Sequence, residues 1–236
     1  MSNTNDQTVS IVTGAGSGIG RAIAKRLARH GPVVLVGRRH APLEQTGMMI
    51  DRSGSGWLSI QADINIADDR DRVIERTVDH FGRLDWLINN AAIGTCRPLL
   101  ELQESEIEDL VAINLTAPLL LTRLALPHIA KSLGCVVSIG SIAAIDPFPG
   151  LGAYGCTKAG LEALARAIRT EYPDIRGYTV HPGAVETDML RSIVSKNDLP
   201  SDHVLSPDDI AGAVEGLITG TRAESNGASV VVSKTG

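Results

Sequence analysis

Short apolar runs alternate with amphipathic segments along the whole chain. Seven of these runs are rich in β-branched and other large apolar residues, a composition typical of buried strands. One of them, Val33–Val36, is apolar at every position, as expected of a parallel strand covered by helices on both faces. The predicted strands are Val9–Thr13, Val33–Val36, Trp57–Gln61, Leu84–Asn89, Cys135–Gly140, Gly177–His181 and Ser229–Ser233.

Helical spacing of apolar residues fills most of the gaps between these runs. Ala67–Phe81 is one predicted helix. The segment from about Glu104 to Lys131 is a longer one, which should break or bend near Pro118 or Pro127. Strands and helices that alternate in this way predict an α/β protein with a single-domain, doubly wound (Rossmann) fold. Its parallel sheet has about seven strands, with helices on both faces.

Composition limits the partners more than the fold. A chain of 236 residues with 43% hydrophobic content can bury one large core. We therefore expect one domain over residues 9–236, preceded by a disordered tail at residues 1–8. The net charge of −5 argues against nucleic acid or an anionic membrane as the main partner. The absence of a signal-peptide pattern and of a membrane-length apolar run predicts a cytoplasmic protein.

The cysteines and histidines show no metal-binding pattern. Cys96, Cys135 and Cys156 are odd in number and lack metal-like spacing, and the six histidines form no ligand set. We therefore expect neither a disulfide framework nor a bound metal. For Cys135 and Cys156 we expect packing rather than reactivity, because a free cysteine usually behaves as a small buried hydrophobe.

Tyr154 and Lys158 are the strongest chemical signal in the chain. They lie four residues apart, about one helical turn, so both side chains project from the same helix face. A phenol has a reference pKa of about 10. We expect the neighbouring ammonium to lower the tyrosine pKa, so that the phenol can exchange a proton with a carbonyl or alcohol oxygen.

Ser141 follows a predicted strand, at the position where open α/β sheets bind their ligands. Its hydroxyl is a candidate to hold the oxygen that Tyr154 protonates. Taken alone, Ser141 is better explained as a serine that caps a turn.

A glycine-rich turn, Thr13–Gly20, connects the first predicted strand to a helix. Gly14 permits a tight turn, while Gly18 and Gly20 let the backbone approach a pyrophosphate at the helix N-terminus. Strand, glycine turn and helix in this order are the context that a phosphate-binding turn requires. The same glycines could also serve only to pack the helix on the strand.

The order of these motifs resembles that of the short-chain dehydrogenase/reductase family over nearly the whole chain, from Val9 to about Val232. Within that family the chain resembles members of the 3-oxoacyl-[acyl-carrier-protein] reductase type. The resemblance implies hydride transfer between a nicotinamide cofactor and a carbonyl or secondary alcohol. It rests on Thr13–Gly20, Asp63, Asn89-Asn90-Ala91-Ala92, Asn114, Ser141, Tyr154, Lys158, Pro182-Gly183 and Thr187.

The resemblance assigns four catalytic roles. Tyr154 is the general acid/base and Ser141 binds the reacting oxygen. Lys158 lowers the tyrosine pKa and binds the nicotinamide ribose, and Asn114 holds a water that relays protons toward the lysine.

The resemblance also implies a set of cofactor-binding residues. Among them Asp63 lies against the adenine, although taken alone it could cap the next helix. The implied cofactor-binding residues are Gly14, Ser17, Gly18, Ile19, Gly20, Arg38, Arg39, Asp63, Ile64, Asn90, Ala91, Tyr154, Lys158, Pro182, Gly183, Val185 and Thr187.

The end of the second predicted strand favours NADP(H) over NAD(H). An NAD site usually has a carboxylate about 20 residues beyond the glycine motif. This chain instead reads Gly37-Arg38-Arg39-His40, with no acid before Glu44. A guanidinium can bind a 2′-phosphate bidentately, so Arg38 is the first candidate and Arg39 the second. The alternative is a solvated basic turn.

Two departures from the family pattern concern the site's surroundings. Ala92 stands where the N-N-A-G motif has glycine, and the segment Val230–Gly236 lacks the usual aspartate-glycine-glycine ending and tail. The expected substrate pocket is mostly apolar, which disfavours a small dianion. It suits a modest ketone, aldehyde or 3-oxoacyl group, and equally a secondary alcohol in the reverse reaction. By family position its residues are Ile93, Gly94, Ile142, Pro147, Phe148, Leu151, Met189, Leu190 and Ile193.

Two alternatives to an enzyme remain, a non-catalytic NADP(H)-binding redox sensor and a scaffold of the same fold. A sensor would not need Ser141, Tyr154, Lys158 and Asn114 together, which argues against it. The resemblance also implies a homodimer or homotetramer, formed through the helices that begin near Glu104 and Tyr154.

Overall fold

The computed structural model describes residues 7–51 and 56–234, and all seven predicted strands are present within two residues of their predicted ends. They form one parallel sheet in the order β3-β2-β1-β4-β5-β6-β7. The predicted doubly wound α/β fold is therefore confirmed. The strands are β1 Ser10–Thr13, β2 Val33–Gly37, β3 Trp57–Gln61, β4 Trp86–Asn89, β5 Cys135–Ile139, β6 Arg176–Pro182 and β7 Ser229–Val232.

The strand order reverses direction between β1 and β4. The chain proceeds outward from β1 through β2 to β3, then returns to place β4 on the other side of β1. Open α/β sheets bind ligands at such a switch point, outside the carboxyl ends of the strands. The helices that cover the sheet are α1 Gly18–Leu27, α2 His40–Asp51, α3 Ala67–Phe81, α4 Glu104–Val111, α5 Ala117–Ile129, α6 Gly152–Glu171, α7 Asp188–Ile193 and α8 Pro207–Thr219.

Both faces of the sheet are buried, which explains why the strands are apolar at consecutive positions. Successive strand residues point to opposite faces. In β1, Val12 belongs to the core cluster that also contains Ile23 of α1 and Val214 of α8. Ile11 belongs to the other cluster, with Leu121 of α5.

The long predicted helix is divided by a π-helical segment, Ala112–Thr116, between α4 and α5. Pro118 lies just beyond this segment and has no N–H, so one carbonyl in the preceding turn loses its helical donor. The predicted irregularity near Pro118 is therefore confirmed. At Pro127 the helix continues to Ile129 without a break.

By length and composition alone, the segment Glu104–Ser132 could cross a membrane. In this fold its inner face packs on the sheet, where Leu121, Ala125 and Ile129 are fully buried. Packing therefore accounts for the apolar character of that face. Val111 and Leu119 are exposed on the segment.

The predicted tail and domain ends lie partly outside the described residues, at 1–6 and 235–236, as does the stretch 52–55. Thr8, within the predicted tail, is hydrogen-bonded to the folded domain. Its hydroxyl donates to the carbonyl of His30 at 3.1 Å.

The three cysteines differ in their environments. Cys135 is buried as predicted, and burial raises the pKa of its thiol to about 12. The expectation of packing is wrong for Cys156, which is exposed, because two positions beyond Tyr154 it faces away from the sheet. Cys96 is also exposed. Across residues 7–51 and 56–234, no group of three or more histidine, cysteine, aspartate or glutamate side chains could hold a metal ion.

Candidate active site

A cavity of about 680 Å³ lies along the carboxyl ends of the strands. All the predicted cofactor-binding residues line it, and so do Ser141, Tyr154 and Lys158. Asn114 and Pro147 do not. Further lining residues come from loops without a recognisable motif, so no sequence signal pointed to them. These include Cys96, Pro149, Val194 and Leu199. Ile113, in the π-helical segment beside Asn114, also lines the cavity.

The glycine turn after β1 can pack this closely on the end of β4 only because it lacks side chains. Gly14 and Gly18 have positive φ angles of 66° and 50°, which glycine adopts without strain. A Cβ on Gly20 would lie 2.3 Å from the carbonyl oxygen of Gly14 and 2.5 Å from Nδ2 of Asn90. The first turn of α1 carries no acidic residue, so its free N–H groups and positive end face the cavity unopposed. This arrangement fits the pyrophosphate of a dinucleotide.

Asn90 braces the glycine turn from the end of β4. Its side chain donates from Nδ2 to the carbonyl oxygen of Thr13 at 2.8 Å. The Thr13 hydroxyl oxygen accepts from the main-chain N–H groups of Asn90 and Ala91, each at 3.0 Å. These bonds join the carboxyl ends of β1 and β4. They remain intact although Ala92 replaces the family's glycine.

The end of β2 presents Arg38 and Arg39 to the cavity, and both side chains are exposed. Glu44, the next acid in the chain, is engaged elsewhere. Its carboxylate lies 3.4 Å from Nε2 of His40 and accepts a hydrogen bond from the Ser59 hydroxyl. The cavity therefore has two guanidinium groups and no carboxylate from this turn.

Asp63 lines the cavity at the end of β3 but does not cap α3. That helix begins at Ala67, and its N-cap residue is Ile66, which makes no side-chain cap bond. The Asp63 carboxylate instead accepts from the main-chain N–H of Asn65 at 3.0 Å. The capping alternative is therefore wrong for α3.

Tyr154 and Lys158 project from α6 toward the end of β5. The Lys158 ammonium lies 5.6 Å from the centre of the Tyr154 ring and donates to the carbonyl of Ile139 at 2.8 Å. The lysine side chain is buried, with 2% of the residue exposed. Ser141 forms a side-chain hydrogen bond with Tyr154 and also accepts from the N–H of Ala143 at 3.2 Å. Ser141 therefore both caps a turn and contacts the phenol.

The protonation of the pair differs from the sequence-based expectation. Burial raises the pKa of Tyr154 to about 12, and the hydrogen bond from Ser141 only partly opposes this effect. Burial also lowers the pKa of Lys158 to about 8. The predicted lowering of the tyrosine pKa by Lys158 is therefore not found, because desolvation of the phenolate dominates. At neutral pH Tyr154 is a proton donor.

Asn114 is fully buried in the π-helical segment and lies outside the cavity lining. Its Oδ1 accepts from the N–H of Ile93 and its Nδ2 donates to the carbonyl of Ile93, both at 2.9 Å. Nδ2 also lies 3.3 Å from the Thr157 hydroxyl. In this structure Asn114 thus joins the loop after β4 to α6 beside Lys158. Its role in holding a water stays a prediction.

The substrate end of the cavity is apolar and covered by the segment that contains α7. Arg191 holds this segment by donating to the Glu186 carboxylate at 2.8 Å and to the carbonyl of Leu199 at 2.8 Å. Lys234, the last described residue, donates to the carbonyls of Asp202 and Val204. The predicted pocket residues that line the cavity are Ile93, Gly94, Ile142, Phe148, Leu151, Met189, Leu190 and Ile193.

Sequence comparison relates most of the chain to known oxidoreductases. Residues 8–198 match the model of a family described as short chain dehydrogenase. An uncharacterized oxidoreductase of Listeria monocytogenes is 32% identical over 218 residues, which cover 87% of this chain and 88% of that protein. The mitochondrial dehydrogenase/reductase SDR family member 2 of Homo sapiens is 30% identical over 239 residues, covering 95% and 84%.

Solved structures share the fold over nearly the full length of both chains. An alcohol dehydrogenase from the archaeon Thermococcus sibiricus, complexed with 5-hydroxy-NADP, superposes with a TM-score of 0.87 at 28% identity and covers 96% of each chain. A 3-ketoacyl-(acyl-carrier-protein) reductase from Brucella melitensis, complexed with NADH, also has a TM-score of 0.87, at 30% identity. That match covers 95% of this chain and 96% of the other.

The protonation state of Tyr154 can be measured directly. In a pH titration of near-ultraviolet absorbance, the difference between the wild type and Tyr154→Phe reports this phenol alone. We expect no Tyr154 phenolate between pH 7 and about 10, the pKa of a free phenol. Ser141→Ala should raise the Tyr154 pKa further, since it removes the hydrogen bond that favours the phenolate. A phenolate signal near pH 8 would contradict this assignment and restore the lysine effect.

Proposed function

Because the chain belongs to the short-chain dehydrogenase family, we propose that it is an oxidoreductase acting on a carbonyl or secondary alcohol with NADP(H) as its cofactor. The observation that carries the proposal is that Tyr154, Lys158 and Ser141 meet in the cavity that the glycine turn opens. A proton donor, a buried cation and a hydroxyl then surround the place where the substrate oxygen would lie.

The residues of the cavity fit a nicotinamide dinucleotide. The first turn of α1, which begins at Gly18, would bind the pyrophosphate, while Asp63 and Ile64 would lie against the adenine. Val185 and Thr187 would hold the carboxamide, and the Lys158 ammonium the ribose hydroxyls. When bound, the nicotinamide supplies or accepts the hydride.

Reduction at neutral pH follows from the state of Tyr154. Its hydroxyl proton moves to the substrate oxygen, while the Ser141 hydroxyl donates a hydrogen bond to the same oxygen and stabilises its growing negative charge. The Lys158 ammonium lies 5.6 Å from the centre of the ring that is left as phenolate. Oxidation of an alcohol would need Tyr154 as phenolate, which is scarce when its pKa is about 12.

Arg38 supports NADP(H) over NAD(H). Its guanidinium lines the cavity beside Arg39 at the end of β2, and the next acid in the chain, Glu44, contacts His40 and Ser59. A 2′-phosphate would meet two positive charges there and no negative one. The related structures contain 5-hydroxy-NADP in one case and NADH in another, so the preference rests on Arg38 and Arg39.

A homodimer or homotetramer would cover apolar residues that the single chain leaves exposed. Leu99, Val111 and Leu119 are exposed on or beside α4 and α5. Leu99 and Val111 border a groove between α4 and α6 that also contains Ala153 and Cys156. We propose this face as the subunit contact, because association would remove these apolar side chains from water.

We also propose a cytoplasmic location and no nucleic-acid or membrane partner, from charge and sequence pattern alone.

Light scattering tests the assembly. We expect a mass of two or four chains for the wild type, and a shift toward one chain for Val111→Asp, which places a charge on the contact face. Asp79→Asn, at an exposed position of α3, is the control and should leave the mass unchanged. A monomeric wild type would overturn the proposed interface.

Turnover tests the enzyme proposal against a sensor or scaffold. NADPH consumption is measured with a broad panel of ketones, aldehydes and 3-oxoacyl thioesters. For Tyr154→Phe we expect kcat to fall by about 10²–10⁴-fold, the usual contribution of a general acid, with NADPH affinity kept. Tyr172→Phe makes the same change at an exposed tyrosine outside the cavity and should leave kcat unchanged. Equal turnover in wild type and Tyr154→Phe would overturn the assigned role.

A charge-reversal substitution at Arg38 tests the preference for NADP(H) over NAD(H). For Arg38→Asp we expect kcat/KM with NADPH to fall by about 10- to 100-fold, the equivalent of a lost charged hydrogen bond, and kcat/KM with NADH to be kept or raised. Arg76→Asp makes the same change at an exposed position on α3 and serves as the control. A wild type that turns over NADH faster than NADPH would refute the preference.

A further inference from the structure

His181 is a fully buried histidine directly behind the catalytic serine, and the mechanism above does not use it. It lies in β6, the neighbour of β5 in the sheet. Its Nδ1 lies 2.8 Å from the main-chain carbonyl oxygen of Ser141 and 3.2 Å from the main-chain nitrogen of the same residue. The contact is close. A Cβ on Gly140 would lie 2.6 Å from Nδ1 of His181.

The other ring nitrogen of His181 faces a carboxylate. Its Nε2 lies 3.2 Å from Oε1 of Glu162, within ion-pair distance but without hydrogen-bond geometry. Glu162 is one helical turn beyond Lys158 on α6, so Tyr154, Lys158 and Glu162 share one face of that helix. A hydrogen bond from Ser229, with the charges of neighbouring His181 and Arg166, lowers the pKa of Glu162. Glu162 is therefore a carboxylate at neutral pH.

These contacts determine how the His181 ring can hold Ser141. A carboxylate 3.2 Å from Nε2 favours a proton on that nitrogen. In the neutral ring Nδ1 then has a lone pair and accepts from the N–H of Ser141. In the charged ring Nδ1 carries a proton and donates to the carbonyl of Ser141. In both states the imidazole is bonded to the main chain of the serine.

We propose that His181 is a positioning residue that, oriented by Glu162, fixes the main chain of Ser141 and so directs its hydroxyl toward the substrate oxygen. The inference rests on the proposed function, because Ser141 must bind that oxygen. A hydroxyl that is held before the substrate arrives needs no reorganisation during the reaction, which is what makes a hydrogen-bond donor effective at a developing negative charge.

Two amide substitutions of His181 distinguish the contact made by Nδ1 from the contact made by Nε2. Asparagine places a polar atom near the position of Nδ1 and can still bond Ser141. Glutamine reaches toward the position of Nε2 and can bond only Glu162. We expect His181→Asn to lower kcat by about threefold and His181→Gln by about thirtyfold, with little change in KM, since a single lost hydrogen bond is worth about tenfold in rate. The reverse order would show that His181 serves only to pair Glu162 and would overturn the proposal.

A readout without turnover tests the contact itself. Hydrogen exchange at the Ser141 amide, followed by NMR, should stay slow in the wild type and His181→Asn and become faster in His181→Gln. Thermal unfolding of each variant separates this local effect from a general loss of stability. Equal exchange at Ser141 in variants of equal stability would refute the bond from the Ser141 N–H to Nδ1. A wild type without turnover would count against the proposed function, while the exchange measurement would still decide the contact.

A double variant tests whether His181 acts through the serine. In a Ser141→Ala background there is no hydroxyl to direct, so we expect His181→Gln to have no further effect on kcat. Additive losses from Ser141→Ala and His181→Gln would show independent action and would contradict a positioning role.

Discussion

Burial of an ammonium group is unfavourable unless the group is bonded, and Lys158 meets this constraint by donating to the main-chain carbonyl of Ile139 at 2.8 Å. That bond joins α6 to the end of β5. Because Tyr154 precedes Lys158 by one turn, the same contact brings the phenol to Ser141. The apolar surroundings that bury the lysine also keep Tyr154 protonated. A single packing constraint therefore brings these side chains together and keeps the phenol protonated.

The remainder of the site is built from bonds between neighbouring strand ends. Thr13 and Asn90 join β1 to β4 beneath the glycine turn. Asn114 links the loop after β4 to α6, and His181 links β6 to Ser141. Most of these partners are main-chain atoms, so they hold position and leave the side chains in the cavity free for chemistry. The substrate end, by contrast, is lined with apolar residues and governs which carbonyl fits.

Local sequence patterns were sufficient to predict the strands and the glycine turn, because apolar runs and the need for glycine are visible in short stretches of sequence. They were insufficient to predict the environments of side chains that lie where several elements meet. The raised pKa of Tyr154 depends on burial by distant segments, and Lys158 did not lower it as expected. Cys156 is exposed on the groove between α4 and α6 rather than packed in the core. His181 carries no motif, and only its contacts to Ser141 and Glu162 reveal it.

We propose that this cavity reduces a carbonyl group and that Tyr154 supplies the proton. NADPH that carries deuterium at both C4 positions of the nicotinamide, together with the best carbonyl substrate found for the wild type, can test this. We expect an alcohol product with one deuterium on the carbinol carbon, formed in equal amount to the NADPH consumed, and almost none with Tyr154→Phe. NADPH consumption without a deuterated alcohol would contradict it.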